Sequence, residues 1–376
     1  MIERFVRPAV ARLTPYVSAR SLSDKEGTGF LDANESPVSG LSAEGRRERA
    51  SLNRYPAPQP SGLNAQMAEY YGADQQNLLI SRGADEAIDL ITRCFCEAGR
   101  DSIAISPPTY GMYEVSAAIQ GCEVERVPLR RTGALGFDFE LDVEALIALS
   151  RARAGQLKLI YICSPNNPTG GSFQVHKIEH LCREVAQTSL VVVDEAYAEF
   201  ASESGFYALA RAAMGDVFSR LPNLIVLRTL SKAWGLAGLR VGCAIAHAET
   251  IRVMQKIRAP YPLVRPSIEL AGEAFSGDGV ARMRARARSI VSARATLAEK
   301  LSKTSAVDLV VSSDANFILV KFHDASRVLR EARARRIALR DRSQEPGLAG
   351  CVRITVGSSA ENDLVLEAVL AAGAIT

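Results

Sequence analysis

Short apolar runs alternate with amphipathic segments over the first two thirds of the chain. The runs at 157–163 and 190–193 are dominated by Val, Ile and Leu, which is typical of parallel strands covered on both faces. Segments with helical spacing lie between most of the runs, near 84–97, 142–152 and 172–187. This alternation predicts an α/β fold whose large domain is built on a mostly parallel, seven-stranded sheet. The predicted strands are 78–81, 102–106, 123–129, 157–163, 190–193, 223–229 and 240–246.

The pattern changes after about residue 264. A long helical stretch runs to about residue 300 and is followed by the apolar strands VDLVVSS, NFILVKF, RIALRDR and CVRITVGS, with helices near 324–336 and 361–373. We therefore predict a large domain at 51–264 and a smaller α+β domain at 265–376. The first 50 residues are too short and irregular to form a domain, and we expect residues 1–50 to pack on the smaller domain.

Composition narrows the class of protein. The chain has 376 residues, of which 47% are hydrophobic and 23% are charged. These values are ordinary for a soluble globular protein and exclude a disordered, collagen-like or coiled-coil chain. The net charge of +3 does not suggest nucleic acid as a partner. No apolar run approaches the ~18 residues of a membrane helix, and the N-terminus lacks the features of a signal peptide. We expect a cytoplasmic protein.

Three features that could form a special site have simpler interpretations. The seven cysteines are irregularly spaced without a CxxC motif, so we expect buried, reduced thiols. His176 and His180 lie one helical turn apart, but no cysteine or carboxylate motif accompanies them, so we predict no metal site. The arginine-rich stretch 281–294 is more typical of a solvated or interface-lining helix face than of a nucleic-acid footprint.

Chemically distinctive residues follow the predicted strands directly. In an open parallel sheet, ligands bind outside the carboxyl ends of the strands, so we expect these loops to share one crevice. Gly, Pro, Asn and Asp also end strands for ordinary reasons, which accounts for some of the glycines and prolines. It does not account for Asp194, Tyr197 and Lys232 at such positions. The five loops contain SRGADE, PPTY, SPNNPTG, DEAY and LSK.

Asp194 and Lys232 together indicate a particular cofactor. Neither GxGxxG nor GxxxxGK[ST] occurs, so dinucleotide and P-loop sites are disfavoured. A desolvated lysine is a Schiff-base nucleophile, and an aspartate beside an apolar strand needs a cationic partner. A lysine Schiff base with an aspartate paired to a pyridinium nitrogen is the signature of pyridoxal phosphate. Gly83, Ala84 and Asp85 open a predicted helix whose free N–H groups can hold the cofactor phosphate.

Longer motifs make this interpretation more specific. CSPNNPTG, DEAY and TLSKAWGLAGLRVG resemble those of the fold-type I, class I and II aminotransferases, which depend on pyridoxal phosphate. NRYPAPQP, SRGADE, and LRDRSQEP followed by RITVG are similar to the narrower family of histidinol-phosphate aminotransferases. The resemblance covers nearly the whole chain. It departs from the family pattern at Trp234, where Phe is common, and in DANESP near the N-terminus.

The resemblance implies a role for each matching residue. Lys232 would bind the cofactor as a Schiff base and carry the proton between the substrate Cα and the cofactor. Asp194 would keep the pyridine nitrogen protonated, and Tyr110 would stack on the ring. Tyr55 would reach the phosphate of the neighbouring subunit's cofactor, which implies a homodimer with shared sites. The other implied contacts are Gly83, Ala84, Asp85, Thr229, Ser231 and Arg240 around the phosphate, with Asn167 and Tyr197 at the phenolic oxygen.

The same resemblance implies the substrates. The enzyme would convert imidazole-acetol phosphate and glutamate into histidinol phosphate and 2-oxoglutarate in histidine biosynthesis. Arg353 would bind the glutamate carboxylate and the substrate phosphate, and Arg340 would add a second phosphate contact. Tyr16 and Asn34 would complete the substrate site. On the residues alone, a surface ion pair remains the alternative for Arg353, and a core position remains the alternative for Tyr55 and Tyr110.

The alternative functions fall into two classes, related enzymes and non-catalytic regulators. An aromatic-amino-acid aminotransferase or a threonine-phosphate decarboxylase of the same fold would share Lys232 and Asp194, so only a panel of substrates separates them. A non-catalytic regulator that binds pyridoxal phosphate would carry a fused helix-turn-helix. The residues before the large domain show no such pattern.

Overall fold

The computed structural model describes residues 29–30, 56–57, 59–133, 136–201, 205–214, 216–259 and 261–374. The strands in this part of the chain are β1 Gly29–Phe30, β2 Leu78–Ser81, β3 Ser102–Ile105, β4 Glu123–Arg126, β5 Arg130–Thr132, β6 Asp138–Glu140, β7 Leu157–Cys163, β8 Leu190–Asp194, β9 Leu224–Thr229, β10 Gly242–Ala246, β11 Val307–Val310, β12 Phe317–Phe322, β13 Ile337–Ala338, β14 Arg340–Asp341 and β15 Cys351–Thr355. The helices are α1 Ser61–Tyr71, α2 Gly83–Phe95, α3 Met112–Gln120, α4 Val143–Ala152, α5 Val175–Glu184, α6 Phe206–Met214, α7 Val217–Arg220, α8 Ala248–Ile257, α9 Arg265–Ala274, α10 Gly277–Ser302, α11 Ala325–Ala334 and α12 Ser359–Gly373.

The largest sheet has seven strands in the order β2–β10–β9–β8–β7–β3–β4. Every strand runs in the same direction except β10, which is antiparallel to both of its neighbours. The carboxyl ends of β2, β3, β7, β8 and β9 therefore lie at one edge, and β10 begins there. The predicted α/β fold with a mostly parallel seven-stranded sheet is confirmed.

Both faces of this sheet are covered, which explains the continuous apolar runs in the sequence. Alternate residues of β9 enter two different hydrophobic clusters: Leu224 and Val226 join the first, and Ile225 and Leu227 join the second. A strand with period-two side chains needs apolar residues at every position when both faces are buried. This packing holds the strand ends, and the loops that follow them, in fixed positions.

A second sheet of four strands has the order β11–β12–β15–β14, and its neighbouring strands are antiparallel. Its two central strands, β12 and β15, are almost wholly buried. Helix α12 packs against α10 and α11, and begins with a capping box between Ser358 and Glu361. The short strand β1 pairs with β13 in parallel. The division into domains at residues 50 and 264 stays a prediction.

Several predicted elements differ from the structure in their bounds, and the strand predicted at 123–129, for example, ends at Arg126. The helical stretch after residue 264 is two helices, α9 and α10, which are separated by Phe275 and Ser276. Gly279 permits their close approach, because a Cβ there would lie 2.2 Å from the Ala274 carbonyl oxygen. The strand predicted from residue 240 begins at Gly242, because Arg240 adopts the left-handed conformation with φ of 53°. The strand predicted in RIALRDR is divided into β13 and β14, which belong to different sheets.

Two other findings bear on the broader predictions. Among the described residues, no helix has the length and apolar character that crossing a bilayer requires. All seven cysteines are free thiols, and six of them are buried.

Candidate active site

Lys232 lies in the loop that follows β9, at the carboxyl edge of the large sheet. Its Nζ is 5.7 Å from the centre of the Tyr197 ring. Arg286 of α10 holds this loop by donating hydrogen bonds to the carbonyl oxygens of Ala233 and Trp234, at 3.1 and 2.8 Å. Arg286 belongs to the arginine-rich stretch interpreted above as a solvated or interface-lining face. The structure makes this one arginine an anchor for the lysine loop.

Asp194 is the last residue of β8 and is only 2% exposed. Its Oδ2 accepts a hydrogen bond from the Tyr113 hydroxyl at 2.8 Å, and its Oδ1 accepts one from the Ala196 N–H at 3.1 Å. Burial raises the pKa of Asp194 to about 6, although both hydrogen bonds favour the charged form. A carboxylate in such surroundings gains most from a cation at its side.

Asn167 and Tyr197 lie between the lysine and the smaller sheet. The Asn167 Nδ2 donates to the Tyr197 hydroxyl at 3.3 Å, and its Oδ1 accepts from Arg353 Nη1 at 2.5 Å. The Tyr197 ring also packs edge-on against Phe317 of β12. These contacts form a continuous path from Lys232 through Tyr197 and Asn167 to Arg353.

An anion cradle lies where α2 begins. No side chain caps this helix, and the N–H groups of its first turn have no partner within the helix. Helix and sheet approach closely here, because a Cβ on Gly242 would lie 2.8 Å from the Gly83 carbonyl carbon and 2.9 Å from the Ala84 nitrogen. A residue with a side chain at position 242 would therefore push the start of α2 away from β10.

Hydroxyl and guanidinium groups complete the cradle. The Thr229 and Ser231 hydroxyls are 2.9 Å apart, and Arg240 Nη1 donates to the Ser231 hydroxyl at 3.4 Å. Arg240 also forms an ion pair with Asp85 at 3.1 Å, and the other oxygen of Asp85 accepts from the Tyr110 hydroxyl at 2.9 Å. The strained backbone of Arg240 places this charge at the cradle.

Arginines from the smaller sheet face the same site. Arg353 is 4% exposed and lies 5.3 Å from the centre of the Phe317 ring. Arg340 is its register partner on β14, so the two side chains leave the same face of the sheet. Arg342 lies two residues further on. Its Nη2 is 3.5 Å from Asn167 Oδ1, and it pairs with Glu345.

The structure gathers most of the residues singled out from the sequence at one edge of the large sheet. Tyr16, Asn34 and Tyr55 lie outside the described residues. Sequence reasoning missed Tyr113, Arg286 and Arg342. Tyr113 lies three residues after PPTY, Arg286 lies in the arginine-rich stretch and Arg342 lies in LRDRSQEP, but only the tertiary structure shows that these side chains enter the site.

The residues gathered here fit pyridoxal phosphate. Lys232 is the amine that can bond to an aldehyde, Asp194 is a buried carboxylate suited to a protonated ring nitrogen, and the start of α2 suits a phosphate. The sheet and this site define a pyridoxal-phosphate-dependent enzyme of fold type I.

The chain belongs to the family described as aminotransferase class I and II, whose sequence model matches residues 30–369. It is thus an aminotransferase, and its cofactor is pyridoxal 5′-phosphate.

Individual relatives narrow the comparison. The chain is 41% identical over 367 residues to the histidinol-phosphate aminotransferase of Pectobacterium carotovorum, covering 98% of this chain and 97% of the relative. The crystal structure of histidinol-phosphate aminotransferase from Sinorhizobium meliloti with pyridoxal 5′-phosphate has the same fold, with a TM-score of 0.82 at 24% identity, covering 98% of this chain and 97% of that one. The L-threonine-O-3-phosphate decarboxylase of Porphyromonas gingivalis also shares the fold, with a TM-score of 0.73 at 21% identity, covering 91% and 98% of the two chains. The fold alone therefore does not distinguish these activities.

Proposed function

We propose that this protein is a histidinol-phosphate aminotransferase, which transfers an amino group between glutamate and imidazole-acetol phosphate. The observation that carries the proposal is the buried arginine Arg353, joined through Asn167 and Tyr197 to the lysine loop. A guanidinium group pairs in a planar, two-pronged geometry with a carboxylate or a phosphate. The relative from Pectobacterium, similar over its full length, carries this activity in its name.

We assign roles to the residues on the cofactor side as follows. When bound, pyridoxal phosphate supplies an aldehyde for the lysine amine and a ring that withdraws electrons from the substrate Cα. Lys232 would hold the cofactor through its aldehyde carbon, and its amine, once displaced there by the amine of the substrate, would carry the proton between the substrate Cα and that carbon. Asp194 holds the proton on the ring nitrogen. Asn167 and Tyr197 donate hydrogen bonds to the phenolic oxygen.

The remaining cofactor contacts hold the phosphate and the ring. The N–H groups at the start of α2 and the side chain of Arg240 bind the phosphate. Tyr110 lies against the ring face. The other phosphate contacts in this proposal are Gly83, Ala84, Asp85, Thr229 and Ser231.

On the substrate side, one pocket accepts two different anions. Arg353 binds the α-carboxylate of glutamate in one half-reaction and the phosphate of histidinol phosphate in the other. Arg340, its register partner, adds a contact to the larger and more highly charged phosphate. Tyr16 and Asn34 complete the site in this proposal, on the basis of the sequence motifs alone.

We also propose a cytoplasmic homodimer in which Tyr55 of each subunit contacts the other subunit's cofactor. The support is the motif NRYPAPQP, whose prolines favour an extended segment. Tyr261 and Val264 are 48% and 63% exposed and only three residues apart, which suits burial against a second copy.

A substrate panel tests the proposed activity. The purified protein with its cofactor is mixed in single-turnover experiments with histidinol phosphate, phenylalanine or threonine phosphate. We expect the visible absorbance of the lysine-bound cofactor to disappear fastest with histidinol phosphate. Faster reaction with phenylalanine identifies an aromatic-amino-acid aminotransferase, and release of carbon dioxide from threonine phosphate identifies a decarboxylase.

A further inference from the structure

Tyr113 is a buried tyrosine that no motif assigned to the site. It lies on α3, three residues after Tyr110, and its side chain is fully buried. Its hydroxyl donates a 2.8 Å hydrogen bond to Asp194 Oδ2. We propose that Tyr113 is a positioning residue, which fixes the Asp194 carboxylate and sets how strongly it competes for the proton of the cofactor's ring nitrogen. The inference rests on the role proposed above for Asp194.

Tyr113 and a backbone group hold the carboxylate from both ends. Oδ2 accepts from Tyr113, and Oδ1 accepts from the Ala196 N–H at 3.1 Å. With one donor on each oxygen, the carboxylate cannot rotate about its Cβ–Cγ bond without losing a hydrogen bond. Each oxygen keeps a second lone pair, so the carboxylate can still accept a hydrogen bond from a protonated ring nitrogen.

The surroundings of Tyr113 keep its hydroxyl in place. Its ring stacks on Tyr161, with the ring centres 4.7 Å apart and the planes 12° from parallel. The Tyr161 hydroxyl is held in turn by Thr92 Oγ1 at 2.8 Å and lies 3.3 Å from the Ile88 carbonyl oxygen of α2. The donor to Asp194 is therefore built into the packing between the sheet and its helices, and it needs no rearrangement when the cofactor binds.

The chemical consequence concerns the basicity of Asp194. A neutral donor on Oδ2 spreads the negative charge and lowers the affinity of the carboxylate for a proton. If the donor is lost, the carboxylate competes more strongly for the proton that it shares with the ring nitrogen. The ring is then less fully protonated, and it withdraws electrons from the substrate less effectively. We expect Tyr113→Phe to raise the proton affinity of Asp194 by about 10-fold or more, because hydrogen bonds to charged groups are among the stronger ones in proteins.

The test follows the ring nitrogen directly. Wild type, Tyr113→Phe and Tyr161→Phe are reconstituted with ¹⁵N-labelled pyridoxal phosphate, and the ¹⁵N chemical shift of the ring nitrogen is measured. Tyr161→Phe is the matched control, because it removes a buried tyrosine hydroxyl from the same stack without touching Asp194. We expect the shift to move towards the unprotonated value in Tyr113→Phe only. An unchanged shift in Tyr113→Phe overturns the proposal.

Two more variants test the proposal independently of Tyr113→Phe. Replacing Tyr113 with 3-fluorotyrosine makes the phenol a stronger donor, and we expect the opposite displacement of the shift. The absence of that displacement counts against the proposal even if Tyr113→Phe does not retain its cofactor. Asp194→Asn separates the two levels of inference. If Asp194→Asn changes the ¹⁵N shift and neither Tyr113 variant does, only the proposed role of Tyr113 fails. If none of the three variants changes the ¹⁵N shift, the proposed role of Asp194 fails as well.

Discussion

The two sides of the active site differ in charge and in the kind of sheet that supports them. The cofactor side lies at the end of parallel strands, and its central charge is the buried Asp194 carboxylate. The side to which we assign the substrate lies at an antiparallel sheet, where Arg340, Arg342 and Arg353 have the Glu345 carboxylate near them. The first side suits one cationic ring nitrogen. The second suits anions of differing size.

This difference explains how an enzyme can bind one cofactor in a single arrangement and still bind more than one substrate. Asp194 has its two oxygens held by Tyr113 and the Ala196 N–H, so only one arrangement is available. On the other side, guanidinium groups offer five N–H donors each, and several pairings with a carboxylate or a phosphate are equivalent. The substitutions that follow separate the two sides.

The largest expected effect is on the cofactor side. Lys232→Ala should abolish turnover while the thermal unfolding midpoint stays close to that of wild type, because the lysine supplies the amine and the proton transfer. Borohydride reduction of wild type followed by peptide mapping should place the cofactor on Lys232, and the exposed control Lys256→Ala should label normally. A label on Lys158 or Lys256 in wild type would falsify the assignment.

The next largest effect is on the free energy of unfolding, which the burial of the Asp194 carboxylate makes dependent on pH. Burial raises the pKa of Asp194 from 3.8 to about 6. At a pH between these two values, the carboxyl group of the folded, cofactor-free protein keeps a proton that the unfolded chain has lost. Its stability should therefore fall as the pH rises from about 4 to 7, by up to about 3 kcal/mol from this group. Urea unfolding of the cofactor-free protein should show Asp194→Asn to be the more stable form at pH 7, with the advantage fading below pH 4. Parallel pH profiles for the two proteins would contradict the prediction.

On the substrate side, Arg353→Ala should weaken both half-reactions. Charge-assisted hydrogen bonds contribute roughly 1.5–3 kcal/mol, so the loss should be about 10- to 150-fold for glutamate and for histidinol phosphate. Single-turnover rates over a range of substrate concentrations measure it. If the ring-nitrogen ¹⁵N shift changes as well, Arg353 also acts on the cofactor side, and the separation of the two sides is wrong.

The smallest effect is expected from Arg342, which shares Asn167 with Arg353. Arg342→Gln should reduce the rate with either anion by about 3- to 10-fold, because a partly neutralised arginine still adds to the positive field of the pocket. Arg335→Gln is the control, since Arg335 forms a similar ion pair with Glu331 on one face of α11. Equal losses in the two variants would show that Arg342 acts only on stability.

The cofactor side was more predictable from the sequence than the substrate side. Strands that are buried on both faces are continuous apolar runs, so they are visible in the sequence. The strand at 157–163 has the predicted bounds, and the strand predicted at 190–193 extends by one residue to Asp194. Polar residues that directly follow such runs are visible in the sequence, as Asp194 and Lys232 are. The edge of the sheet where they meet follows from the parallel topology alone.

Tyr113, Arg286 and Arg342 could not be found in this way. Tyr113 has an ordinary apolar helix position, and only the packing of α3 on the sheet turns its hydroxyl towards Asp194. Arg286 is one of several arginines in α10, and periodicity does not show which of them reaches the Trp234 carbonyl. The backbone of Arg240, which makes the strand begin two residues later than predicted, depends on tertiary contacts that override local preference.

We expect the arginines of the smaller sheet to bind both substrate anions, with Arg340 adding a contact to the phosphate, while the large sheet holds the cofactor. The most direct measurement is the single-turnover rate of Arg340→Ala in each half-reaction. We expect a loss of about 10-fold or more with histidinol phosphate and a smaller loss with glutamate, because Arg340 adds its charge-assisted contact only to the larger anion. Equal losses for the two substrates would contradict the claim and would favour an aromatic-amino-acid aminotransferase.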